Sequence, residues 1–379
     1  MMEKGKITAF QMAVMMYPTI IATAILVIPR IDAEYSGKDA WIAPIWAAPV
    51  GVYLVYILYW LNRLYPNESL IQYSERIIGK IAGKLLGLIY IFAYFINDGI
   101  ILREYGEFVT GAFLQHTPVI IVMGSMILVC AYAIHGGLKT LAFCAQIFVP
   151  IVIVLILLIM FLVIPDLDPH HLIPMFENGI TPSLMAAIPT HTWFSEFVDV
   201  SFLLPFVVNR KDSFRLGMLS VLAVMISMVV SNLVALLLLG DLTSEVSYPI
   251  MLVARYISLA DFLTHLESVA MAIWVLAMFI KICVVYYVLV LMVSQWLKLP
   301  DYHPIVLPLA FALLPFSLWI APNLHTLAVM LSTSYVFFYI FIQVFIPTVI
   351  FAAAFIRARF QKQNKPGGSA VPRASSEEG

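Results

Sequence analysis

Charge is what this sequence has least of. Only 11% of its 379 residues are Asp, Glu, Lys or Arg, while 62% are hydrophobic and the mean hydropathy is +0.97. A soluble protein carries about 25% charged residues, so this chain cannot coat a water-facing surface of its own size. Cysteine is scarce as well. Cys130, Cys144 and Cys283 all fall inside apolar stretches, which argues against a disulfide framework and for thiols acting as small hydrophobes. A net charge of −1 gives no reason to invoke nucleic acid. There is no glycine-rich phosphate loop, nucleophile elbow or Cys/His metal motif, and His116, His170, His171 and His325 sit in loops without ligand spacing. Nothing here points to an enzyme, a cofactor or a metal site.

What is present is apolar sequence in long runs. Stretches of the roughly 20 residues needed to cross a bilayer recur along the chain, and they are continuously apolar rather than alternating, which excludes a β-barrel. The reading is an all-α integral membrane protein. Ten spans are expected, over 7–28, 40–61, 85–114, 117–135, 138–164, 184–208, 215–240, 264–297, 303–321 and 330–356. An amphipathic helix over 248–258 precedes the eighth. Residues 1–360 thus form one ten-helix transmembrane domain, and 361–379 a disordered cytoplasmic tail. Sixteen of the 21 Lys and Arg residues fall on one set of loops and ends, and three (Arg30, Lys38, Arg255) on the other. Cytoplasmic loops hold the excess, which places both termini in the cytoplasm.

Ten spans divide as five plus five, and an odd number per half inverts the second half relative to the first. That is the architecture of secondary transporters whose first and sixth helices are broken at mid-membrane. Breakers stand in matching places, Pro18 in the first span and Pro189 in the sixth, since proline removes a backbone hydrogen bond. A simple kink is the plainer reading of each. Freed backbone groups at membrane depth must otherwise face protein, water or a ligand.

Charges inside the spans carry the functional argument. An unpaired charge at the bilayer centre costs at least ~2.5–3.5 kcal/mol on insertion scales, so such residues turn inward. Asp98 and Arg103 fall near the middle of the third span. Arg103 and Glu107 share a helix face four residues apart and could pair, locking helices together, or Arg103 could line a polar vestibule. Glu196 and Asp199, three apart in the sixth span, disfavour each other's charge unless a cation intervenes. Glu267 opens the eighth span, where an acidic group suits the positive end of the helix dipole. Lys281, near the middle of that span, needs an acidic partner or a ligand carboxylate. Trp193, beside the sixth-span polar cluster, could close over a ligand.

Several segments resemble the B subunits of spore nutrient-germinant receptors, the spore germination permeases of the amino acid–polyamine–organocation superfamily. They are ITAFQ at 7–11, ATAILVIP at 22–29, DAWIAP at 39–44, LREYGEFV at 102–109, LIPMFENGITP at 172–182 and ESVAMAIW at 267–274. The resemblance implies a LeuT-like bundle of ten helices in a 5+5 inverted repeat, with a small-nutrient pocket framed by the first, third, sixth and eighth spans. It carries the unwound segment of the first span onto Ala22, Thr23 and Ala24, where many relatives have glycine. Arg103 matches the family's third-span arginine, and the sixth-span acidic residue matches either Glu196 or Asp199. It further implies a sensor in the inner membrane of the bacterial spore, acting with a larger A subunit and a lipoprotein C subunit. The expected site is Ala22, Thr23, Ala24, Arg103, Trp193, Ser195, Glu196, Asp199 and Lys281, with Pro18, Glu107, Pro189 and Glu267 in supporting roles. The ligand is an amino acid or small sugar. A sensor needs only differential affinity for two conformations of the bundle, without net transport. A proton-coupled amino acid transporter using Glu196 or Asp199, and a channel, are the rival readings.

Overall fold

The computed structural model describes residues 5–259 and 266–363, and apart from one isolated β-bridge its regular structure is helical. Among the described residues, seven helical stretches are long and apolar enough to cross a membrane, and an eighth apolar helix, Val119–His135, is shorter. Membrane helices are favoured because each residue satisfies its own backbone within the segment.

Helix α1, Ala9–Ser36, starts at a capping box in which Thr8 Oγ1 accepts from the Gln11 amide and Gln11 Oε1 accepts from the Thr8 amide, at 3.1 and 2.8 Å. Gly37, at φ 53°, stops it, and its amide donates to the Ala33 carbonyl. A left-handed residue here would strain any side chain. After one 3-10 segment, Gly37–Ile42, α2 runs over Ala43–Leu64. The amphipathic α3, Leu70–Ile78, was not anticipated from hydropathy because its apolar face is only a stripe. It packs on α4, Lys80–Ala112, so closely that a Cβ at Gly83 would lie 2.4 Å from the Glu75 Cα.

Helices α5, Val119–His135, and α6, Leu138–Val163, follow. The sixth expected span is α7, Thr181–Ser195, then a 3-10 turn over Glu196–Asp199, then α8, Val200–Leu203. Next come α9, Ser213–Leu239, and the short α10, Leu242–Glu245. The expected amphipathic helix is α11, Pro249–Leu259, ahead of α12, Leu266–Leu297. The chain ends with α13 (His303–Ile320), α14 (Leu324–Ser332), α15 (Ser334–Tyr339), a π-helical segment over Ile340–Phe345, and α16 (Ile346–Gln363). The tail beyond 363 lies outside the described residues.

Two expectations are corrected. The first span is not broken: α1 is continuous through Pro18 and Pro29, and Ala22, Thr23 and Ala24 lie within regular helix. Proline deletes one backbone bond without unwinding a helix whose neighbours enclose it, and most of α1 is buried. At the next residue the Thr19 hydroxyl donates to the Met15 carbonyl at 2.8 Å, an added bond beside the proline. The sixth span does break, but Pro189 stays inside α7 and the helix tightens seven residues later, at Glu196. An interruption that was not expected divides the last span, where Thr333 (φ −126°, ψ −92°) ends α14 and the π-helical segment follows.

Helices α1 and α12 are buried along most of their length, whereas α5, α6 and α13 turn large apolar groups outward, among them Tyr132, Phe161 and Trp319. This is the distribution lipid imposes: apolar surface outside, ionisable groups within. At one end Ile7 forms the isolated parallel bridge with Val207, its amide donating to the Phe206 carbonyl at 3.1 Å and its carbonyl accepting from Val208 at 2.9 Å. The start of the chain is thereby tied to the end of the broken sixth span.

Candidate functional site

The polar centre is assembled by α1, the turn after α7, and α12. Lys281, near the middle of α12, is fully buried. Its ammonium donates to Glu196 Oε1 at 3.0 Å, to Glu196 Oε2 at 2.8 Å and to Thr23 Oγ1 at 2.9 Å. All three N–H donors of a lysine are thereby used. Thr23 Oγ1 also accepts from Trp193 Nε1 at 2.9 Å, so α1, α7 and α12 meet at one hydroxyl. Trp274 Nε1 donates to the Ala22 carbonyl at 2.6 Å, a second tie from α12 to α1. Ser195 Oγ donates to Gln343 Oε1 at 2.5 Å, which brings in the π-helical segment. Tyr94 of α4 donates to Asp199 Oδ1.

Thr23 also forms the floor of a cavity of about 530 Å³. Its walls come from α1 (Arg30, Glu34), α4 (Glu104), the 245–248 segment (Glu245, Tyr248), α12 (Trp274) and α14 (His325). Arg30 Nε and Glu104 Oε1 are buried without hydrogen-bond partners among the described residues. One atom from each of two groups of opposite sign is thus left unsatisfied in one cavity, above a hydroxyl that already carries two donors. Such convergence of a few polar groups in an otherwise apolar bundle is what a small-molecule site requires.

Thr23, Trp193, Glu196 and Lys281 converge in this way, with Ser195 and Asp199 in the adjoining network and Ala22 offering its carbonyl. Ala24 is buried beside them in α1. Arg103 points away from the cavity: it pairs with Glu107 at 2.5 Å and donates to the Pro322 carbonyl at 3.0 Å. The pairing expected from the i,i+4 spacing is therefore present within α4, and the bond to Pro322 fastens α4 to the segment before α14. Pro18 and Pro189 are buried within their helices. Glu267 stands in the first turn of α12, and its side chain lies outside the described residues.

Sequence reading missed Arg30, Glu104, Tyr94, Trp274 and Gln343. The signal for Glu104 was its position beside Arg103 on a different helix face. Gln343 was an uncharged polar residue in an apolar run and left no trace in a charge-based search. A separate buried knot also escaped notice: Asp32 Oδ1 accepts from Thr190 Oγ1 at 2.6 Å and Oδ2 from Asn232 Nδ2 at 2.8 Å, joining α1, α7 and α9.

The family model described as spore germination protein matches residues 6–325. Spore germination protein KB of Bacillus subtilis (strain 168) is 28% identical over 334 residues, covering 85% of this chain and 87% of that protein. Spore germination protein XB of Bacillus anthracis is 24% identical over 285 residues, covering 74% and 79%. Among solved structures, MhsT in complex with L-phenylalanine superposes with a TM-score of 0.64 at 13% identity, over 92% of this chain and 98% of that one. A substrate-bound Na+-coupled sialic acid symporter gives 0.62 at 11% identity, over 90% and 79%. These transporters share the LeuT-type fold, and at such low identity the likeness concerns the fold alone. With some six-sevenths of its length matched by one family model, the chain belongs to the spore germination protein family.

Proposed function

We propose that this chain is the nutrient-sensing B subunit of a spore germinant receptor, and that its ligand enters the cavity above Thr23. The carrying observation is the Lys281–Thr23–Trp193 junction at the floor of a cavity lined by charges of both signs. A zwitterionic amino acid suits that lining, its carboxylate toward Arg30 and its ammonium toward Glu104. A small sugar would use the same groups as hydrogen-bond partners. Ligand that competes for the Thr23 hydroxyl weakens the tie between α1, α7 and α12, and so favours a rearranged bundle.

The same reading counts ten spans in two inverted halves of five. The 56-residue stretch Ala9–Leu64 extends about 84 Å at 1.5 Å per residue, far beyond one bilayer crossing, and Gly37 divides it in two. Adding Val119–His135 and the broken span of α7 and α8 completes the ten. An even number keeps both termini in the cytoplasm, in line with the lysine and arginine distribution. In this role the chain sits in the spore inner membrane with an A subunit and a C lipoprotein, to which the bundle's rearrangement is relayed.

The test is the germination dose response of spores carrying Trp193→Ala or Lys281→Met, with receptor abundance measured by immunoblot. At unchanged abundance, a response shifted to higher nutrient supports the pocket, and an unshifted response removes it. The rival reading is a proton-coupled amino acid transporter. Uptake into liposomes separates the two, because a transporter accumulates substrate against its gradient and a sensor does not.

A further inference from the structure

Asp98 lies in the middle of α4, only 4% exposed, and neither of its carboxylate oxygens has a hydrogen-bond partner among the described residues. The germinant pocket does not use it. Tyr94, one turn earlier on the same helix face, donates to Asp199 Oδ1, which brings Asp98 and Asp199 to one place. The two carboxylates lie within electrostatic reach of each other.

No neighbour supplies the missing positive charge. The three N–H groups of Lys281 are committed to Thr23 and Glu196. The hydroxyl protons around Asp98 point elsewhere. Tyr286 on α12 donates to the Val306 carbonyl, and Tyr339 on α15 donates to the Ala93 carbonyl at 3.1 Å. Tyr335 donates to Asn97 Oδ1 at 2.6 Å. The ionisable groups facing this spot are therefore Tyr94 from α4, Glu196 and Asp199 from the turn after α7, Lys281 and Tyr286 from α12, and Tyr339 from α15. With Glu196 paired to Lys281, what remains is electron-rich: two carboxylates, with phenolic oxygens whose lone pairs remain available. Two like charges at membrane depth do not persist without a compensating cation.

We propose that Asp98 and Asp199 together hold one exchangeable monovalent cation, an alkali ion or a proton, at a site separate from the nutrient cavity. Neither residue lines that cavity. The two sites communicate through the single 3-10 turn Glu196–Asp199, where the partner of Lys281 and the cation ligand stand at opposite ends. Filling the cation site relieves the negative field on Glu196 and leaves it to Lys281.

The test uses the purified full chain in lipid nanodiscs, without nutrient, so its result is independent of the pocket assignment. Thermal melting is followed in choline chloride, NaCl and KCl at matched ionic strength, and across a pH series. An alkali ion at the site raises the melting temperature by a few degrees over choline, because only the folded state binds it. A proton gives no difference among the salts and a rise as the pH falls. An alkali response disappears in Asp98→Asn and persists in Glu104→Gln, whereas a pH response is reduced in Asp98→Asn by the share that Asp98 carries. A wild-type protein indifferent to all of these conditions overturns the proposal, and so does an alkali response, or an undiminished pH response, in Asp98→Asn. Should Asp98→Asn not fold, Asp98→Ser and the infrared carboxyl band of the wild type provide the second reading. That band must change with the cation, and a band that does not change also overturns the site.

Discussion

Lys281 Nζ sits 2.8 Å from Glu196 Oε2, with both side chains almost wholly withdrawn from solvent. Asp199, three residues along the same turn, is instead held by Tyr94. A lysine and one carboxylate have thus formed a closed pair while a second carboxylate within a turn was left to a neutral donor. This division determines what each residue can do, and it organises the predictions below.

Removing the lysine strands its partner. Lys281→Met is expected to destabilise the folded chain by about 3–5 kcal/mol, the usual effect of leaving a buried charge unpaired. The double variant Lys281→Met/Glu196→Gln removes both charges and recovers most of the loss. Melting curves of both proteins in the same nanodiscs check this, and a double variant no better than the single one contradicts the pairing.

The buried knot at Asp32 predicts a separate loss. Thr190→Val deletes the hydroxyl that donates to Asp32 Oδ1 at 2.6 Å, without a large change of volume. Leaving a buried acceptor unsatisfied costs about 1–3 kcal/mol. Thr190→Ser keeps the donor and should stay close to the wild type, which distinguishes the hydrogen bond from packing.

Arg103→Gln opens the tie from α4 to the segment before α14. Its guanidinium holds both Glu107 and the Pro322 carbonyl, and hydrogen bonds to charged groups contribute about 1.5–3 kcal/mol each. Hydrogen exchange should rise selectively over 322–332. A uniform rise across all helices would instead mean that Arg103 supports the whole bundle.

Gly83→Ala tests the contact between α3 and α4. The added methyl would meet the Glu75 backbone at 2.4 Å, where no rotamer change relieves the overlap. A loss of about 1–3 kcal/mol is expected, as for other overpacked sites. Gly111→Ala on the same helix meets nothing within 4 Å and serves as the tolerated control.

Much of the fold was legible because hydropathy is a local property. The lipid-exposed runs, the inward placement of Asp98, Glu196 and Lys281, and the Arg103–Glu107 pair all follow from spacing and transfer energies. The course of the first span did not follow. Pro18 signals a lost hydrogen bond, yet only the enclosing neighbours decide whether the helix bends or unwinds. In α1 it continues. The break in the sixth span was visible as a polar cluster, but its position at Glu196 depends on contacts with α1 and α12.

By itself, then, the sequence determined that this chain crosses a membrane repeatedly and must turn the few ionisable groups within its spans inward. That follows from composition and the energetics of lipid. Tertiary structure alone decided which of two carboxylates three residues apart meets Lys281, that Thr23 joins three helices, and that Asp98 has no hydrogen-bond partner among the described residues. The reason is rotational: each helix's angle about its axis is set by packing against several neighbours at once, and no single span encodes it.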